Sequence, residues 1–111
     1  MRNFYLLSQI NKNSIDAQIG LGKVYDEMKQ DKLALKHFFT AINLDTNNPL
    51  ANFYFADYYY KRNNLVMAVR YFNIAYQNGY SNNYSINYKM GTAYEKLADM
   101  ESAKKHYQNA L

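Results

Sequence analysis

The 111-residue chain contains no cysteine and no tryptophan, a single proline and only four glycines. Without cysteine it has no disulfide, no thiolate nucleophile and no thiolate metal site, a composition that fits a reducing compartment and hence a cytoplasmic protein. So little proline and glycine leaves almost nothing to punctuate strands and tight turns, which argues against a sheet-rich fold. No apolar run approaches a membrane span, and Met1–Ile10 is too short and too polar for a signal peptide. Charge of one sign is also scarce: 13 Lys and Arg stand against 9 Asp and Glu, and a net charge of +4 only mildly favours anionic partners.

Apolar material is plentiful. Hydrophobic residues make up 49% and aromatics 17%, with 13 tyrosines, which is ample for a packed core in one domain. Ala, Leu, Lys, Gln and Met recur at helical spacing, so the expected fold is all-α.

Self-similarity organises that helical pattern. Leu21-Gly22-x-x-Tyr25 recurs as Phe55-Ala56-x-x-Tyr59 and Met90-Gly91-x-x-Tyr94, at steps of 34 and 35 residues. Each Tyr is followed by a fixed triplet: Ala34, Phe38, Ala41; Ala68, Phe72, Ala75; Ala103, Tyr107, Ala110. Small residues at 22, 56 and 91 suit positions where two helices of a hairpin cross closely, and the aromatics fill the wedge beside them. The spacing resembles the tetratricopeptide repeat (TPR), whose signature is W-x2-L-G-x2-Y followed by A-x3-F and a later A and P. The resemblance covers residues 15–111. It departs from the family where the tryptophan slot holds Gln18, Asn52 and Asn87, and where Thr46 and Tyr80 replace the closing proline.

The resemblance implies an all-α, right-handed superhelix of antiparallel helix pairs forming one domain. About three repeats, at 15–48, 49–83 and 84–111, follow a partial N-terminal helix at 2–14, and the last repeat is expected to be truncated. Helices are expected at 2–11, 15–28, 32–44, 49–62, 65–77, 84–97 and 100–111. Phe4 and Leu7 fall at aromatic and alanine positions of the partial helix. Asn48 before Pro49, Asn64 and Asp99 are expected N-caps, and Gly79 a left-handed helix end before a surface loop at 78–84. The pattern begins and stops inside a repeat, so a segment of a longer array is expected, or terminal helices covered by a partner or another copy.

Catalytic signatures are missing. There is no phosphate-cradling G-x-x-x-x-G-K-[ST], no H-E-x-x-H and no G-x-S-x-G, and Gly20 and Gly22 lie within a helix. His37 and His106 occupy equivalent places on second helices and read as polar neighbours of the packing aromatic. Asp26 and Glu27 diverge on one helix, whereas acid–base chemistry needs convergent groups. The expectation is no enzyme, no cofactor and no metal.

In the resembling family a peptide or partner helix lies in a concave groove lined by the first helix of each repeat. That register selects Ile19, Lys23, Phe53, Asp57, Tyr60, Tyr88, Thr92 and Lys96, with aromatics as anchors and lysines fixing orientation. One subgroup grips a terminal carboxylate, but those slots hold Ile19, Lys23, Tyr54, Ser85 and Lys89, a broken constellation. The leading expectation is a protein-binding scaffold or adaptor. Self-association through uncapped terminal helices is the alternative. RNA binding ranks lower, because Lys29, Lys32, Lys36, Lys104 and Lys105 fall on or near second helices, away from the groove.

Overall fold

The structure is a computed structural model that describes the backbone from Phe4 to Leu111 and side chains from Ser14 onward. The packing expected of Phe4 and Leu7 lies outside the described residues. The described chain is helical with no strand and divides into two compact units, Met1–Thr46 and Asn47–Leu111.

The first unit is one hairpin of α1 (Phe4–Glu27) and α2 (Asp31–Leu44). Separate helices at 2–11 and 15–28 are therefore not found: one 24-residue rod runs through both. The intervening Asn-Lys-Asn-Ser, residues 11–14, contains neither glycine nor proline, so nothing interrupts the hydrogen-bond ladder. On α1, Ile15, Ile19 and Gly22 are buried, as are Ala34, Phe38, Ala41 and Ile42 of α2. Gly22 is where the two rods touch. A Cβ built there would lie 2.7 Å from the Phe38 ring, so the close crossing requires the missing side chain.

The second unit contains α3 (Pro49–Lys61), α4 (Leu65–Ala75), α5 (Tyr84–Lys96) and α6 (Met100–Ala110), paired as two hairpins. Caps set the helix starts: Asn48, Asn64, Asn83 and Asp99 each accept a backbone N–H three residues on, and Pro49 takes the first helical position. The three expected caps are present, and Asn83 adds a fourth. Each hairpin turn, in both units, carries a left-handed residue: Lys29 (φ 61°), Asn63 (φ 62°) and Ala98 (φ 65°).

Residues 78–83 leave the helix and, apart from half-buried Tyr80, are exposed. Past Ala75 the backbone departs from helical geometry at Asn78 (φ −109°, ψ 24°) and at Gly79, whose φ of 131° is the expected left-handed helix end. Asn78 Nδ2 donates to the Ile74 carbonyl at 2.7 Å, tying this turn to α4. The core comprises Ala56, Ala68, Phe72, Ala75, Ile86 and Met90, all fully buried, ringed by Phe53, Tyr59, Tyr60, Tyr71, Tyr76, Tyr80 and Tyr94. Burying a side chain the size of Phe72 contributes about 1.5–3 kcal/mol, so the alanine–aromatic lattice is the principal source of cohesion.

Candidate interaction face

In the first and last hairpins the tryptophan slot is built from a polar pair. Asn87 is fully buried, and its Nδ2 donates to the Ser81 and Asn83 carbonyls at 2.8 and 3.1 Å. Its Oδ1 must therefore face His106, whose Nδ1 lies 2.9 Å away and so carries the proton. The His106 ring stacks on Tyr94 at 5.6 Å and meets the edge of Tyr76 at 5.1 Å. Burial, with a smaller contribution from Lys105, holds the His106 pKa below its ordinary value. In the first unit His37 Nδ1 donates to Gln18 Oε1 at 2.6 Å, and its ring stacks on Tyr25 at 5.4 Å. Both histidines are thus structural members of a hairpin, bonded to the residue in the tryptophan slot as well as packed on the repeat tyrosine.

In the second unit α3 and α5 place a mixed aromatic and charged face. Asp57, only 8% exposed, is the charged residue at its centre. Lys89 of α5 donates from Nζ to Asp57 Oδ1 at 2.7 Å, and Lys61, one turn along α3, lies 3.5 Å from Oδ2. The Lys89 ammonium also stands 5.6 Å from the Phe53 ring centre and 5.8 Å from that of Tyr60, within cation–π range.

Around this cluster the expected contact residues take different positions. Phe53 is half-buried against Phe72, Tyr80 and Tyr54, with ring centres 5.1–6.0 Å apart. Tyr60 meets the edge of Phe72 at 6.0 Å and keeps part of its ring exposed. Tyr88 is 49% exposed and stacks on Tyr84, while Lys96 is exposed. Thr92 is half-buried and donates to the Tyr88 carbonyl at 2.9 Å. Tyr107 packs on Tyr88 and donates to Glu95 Oε1 at 2.8 Å.

Lys23 is exposed on the first unit, but Ile19 is only 3% exposed and has no surface to offer a partner. Its branched apolar side chain turns into the core, which the groove register alone does not distinguish. Lys89 is the residue that the register undervalued. Among the described residues it is the one lysine that is half-buried rather than exposed, and its bond to Asp57 joins two hairpins. No group of three or more His, Cys, Asp or Glu residues suited to a metal occurs among the described residues. No described helix is long and apolar enough to cross a membrane.

These hairpins define an all-α repeat protein with the fold of the tetratricopeptide repeat. No protein-family model and no curated protein sequence matches the chain. Solved structures do match. The second TPR of Spaghetti (RPAP3), bound to an HSP90 peptide SRMEEVD, superposes with TM-score 0.80 at 17% identity over 92% of this chain and 95% of its own. MamA (AMB-1) gives TM-score 0.75 at 19% identity over 86% of this chain. YrrB, a TPR protein with an unusual peptide-binding site, gives 0.73 at 22% identity over 96% of this chain. The chain spans about half of MamA, at 52%, and 61% of YrrB.

Proposed function

We propose that this chain is a protein-interaction scaffold, acting in the cytoplasm, that holds an extended peptide or a partner helix and catalyses no reaction. The observation that carries this reading is the α3–α5 face. Tyr60 and Tyr88 present partly exposed aromatic surface, and exposed Lys61 and Lys96 provide orienting charge beside it. Rigid aromatic rings at low entropic cost are suited to anchoring a peptide. Two proteins of the same fold support the reading, one bound to an HSP90 peptide and one described by its peptide-binding site.

The test is capture of partners by the purified chain, compared with Tyr60→Ala, Tyr88→Ala and Lys96→Ala variants whose melting temperatures match the parent. Loss of the same captured protein in at least two variants supports the face. Unchanged capture in all three means that the face is not the binding surface.

A further inference from the structure

Among the described residues most charged side chains are exposed, whereas the pair at the centre of the α3–α5 face is largely shielded. The Lys89 and Asp57 side chains are only 27% and 12% exposed. Lys89 is held by a short bond to Asp57 Oδ1 and lies near two aromatic rings. Asp57 in turn keeps its second oxygen near Lys61. The basic group best placed to receive a partner's carboxylate is therefore already occupied by a carboxylate of the chain itself.

Resting on the interaction reading above, we infer that Asp57 is the residue that sets charge preference at the centre of this face: it neutralises Lys89 internally, so the centre accepts uncharged peptide segments and discriminates against carboxylates, leaving only Lys61 and Lys96 at the rim to orient a partner. An incoming carboxylate would have to displace Asp57 from a bond held at 2.7 Å. It would also meet a like charge with little water to screen it, and such juxtaposition is how interfaces reject wrong partners. An apolar or amide-bearing side chain meets no such opposition. It can lie over Phe53 and Tyr60 while leaving the ion pair undisturbed.

Asp57 acts here through Lys89, so it is a positioning residue, and removing its charge while keeping its shape should change which ligand is chosen. The probes are the acidic peptide SRMEEVD and its neutral counterpart SRMQQVN with an amidated C-terminus, titrated by fluorescence anisotropy. The parent chain is expected to bind the neutral peptide more tightly than the acidic one. Asp57→Asn releases the ammonium and should bind SRMEEVD about tenfold more tightly than the parent does, a gain that Asp57→Asn/Lys89→Gln loses.

Retention of the gain in the double variant, or its absence in Asp57→Asn, overturns the inference. So does binding of the acidic peptide by the parent as tightly as the neutral one, an arm that needs no substitution and so holds even where a variant folds poorly. Partner capture by Tyr60 and Tyr88 variants is read separately, so failure of the charge rule and failure of the interaction reading give different results.

Discussion

Gly20 and Gly22 lie two residues apart on α1, and alanine should have opposite effects at the two positions. At Gly20 an added Cβ meets nothing within 4 Å, so the substitution brings only the helix-propensity gain of about 1 kcal/mol. At Gly22 the same methyl would sit 2.7 Å from two atoms of the Phe38 ring, closer than carbon atoms pack. Phe38 is 1% exposed and so has no open side toward which to swing. Overpacking of this kind costs roughly 1–3 kcal/mol, which outweighs the propensity gain and leaves a net loss of about 1 kcal/mol.

Thermal melts followed by circular dichroism should therefore show Gly20→Ala raised by about 4 °C and Gly22→Ala lowered by a similar amount. In the Gly22→Ala background, Phe38→Leu should cost less than it does in the parent, since it relieves the clash. Gly91→Ala is the intermediate case. Its Cβ would meet the Tyr107 ring at 2.8 Å, but Tyr107 is only partly buried and has room to yield. A Gly22→Ala chain as stable as Gly20→Ala would refute the close-crossing argument, and with it the reason for the repeat spacing.

Two further outcomes follow from the backbone and from the buried imidazole. Ala98 holds φ 65° at the last hairpin turn, a conformation that disfavours a Cβ by about 1–2 kcal/mol, so Ala98→Gly should raise the melting temperature; an unchanged or lower value would mean that the turn is not under strain. His106 has a folded pKa held below its ordinary 6.5, so the unfolded chain binds the proton more readily, and the stability it contributes above that value is lost as pH falls toward the folded pKa. Melting temperature should drop between about pH 7.5 and about pH 5.5, and the drop should be smaller in His106→Gln; the same slope in both would exclude the imidazole as its cause.

The repeat lattice was legible because it consists of residues whose size alone matters. Gly22, Phe38, Ala56 and Phe72 are where the spacing expects close crossings and wedges, and Asn48, Asn64 and Asp99 cap the helices that follow them. Features that depend on continuity or on backbone freedom were less visible. The polar run at 11–14 resembles a break, yet it contains nothing that stops a helix. The left-handed turns at Lys29, Asn63 and Ala98 escape notice since none is glycine, whereas Gly79 ends its helix where the sequence places it. On the candidate site, register places Phe53, Tyr60 and Tyr88 on α3 and α5 but says nothing of depth, so it gives buried Ile19 and exposed Lys23 equal standing. The Lys89–Asp57 bond was illegible for a different reason: a flexible side chain reaches between hairpins 32 residues apart in sequence.

The loss of tryptophan from all three slots has a physical consequence for specificity. In the first and last hairpins an amide bonded to a histidine occupies the slot, and the imidazole stacks on the repeat tyrosine. In the middle hairpin Tyr71 takes the histidine's place and stacks on Tyr59 in the same manner, with ring centres 6.1 Å apart and an 11° tilt. The ring stack is therefore kept in every hairpin, whereas the amide–imidazole bond is kept only in the first and the last. An indole would contribute more apolar burial, but it would tolerate a slip of one helix against the other better than an amide does. Asn87 satisfies both amide hydrogens and its oxygen only when Ser81, Asn83 and His106 are all in register. A misregistered hairpin would strand those groups in a dry core at a cost of about 1–3 kcal/mol each, so the polar slot selects one packing of the helices at the expense of some apolar burial.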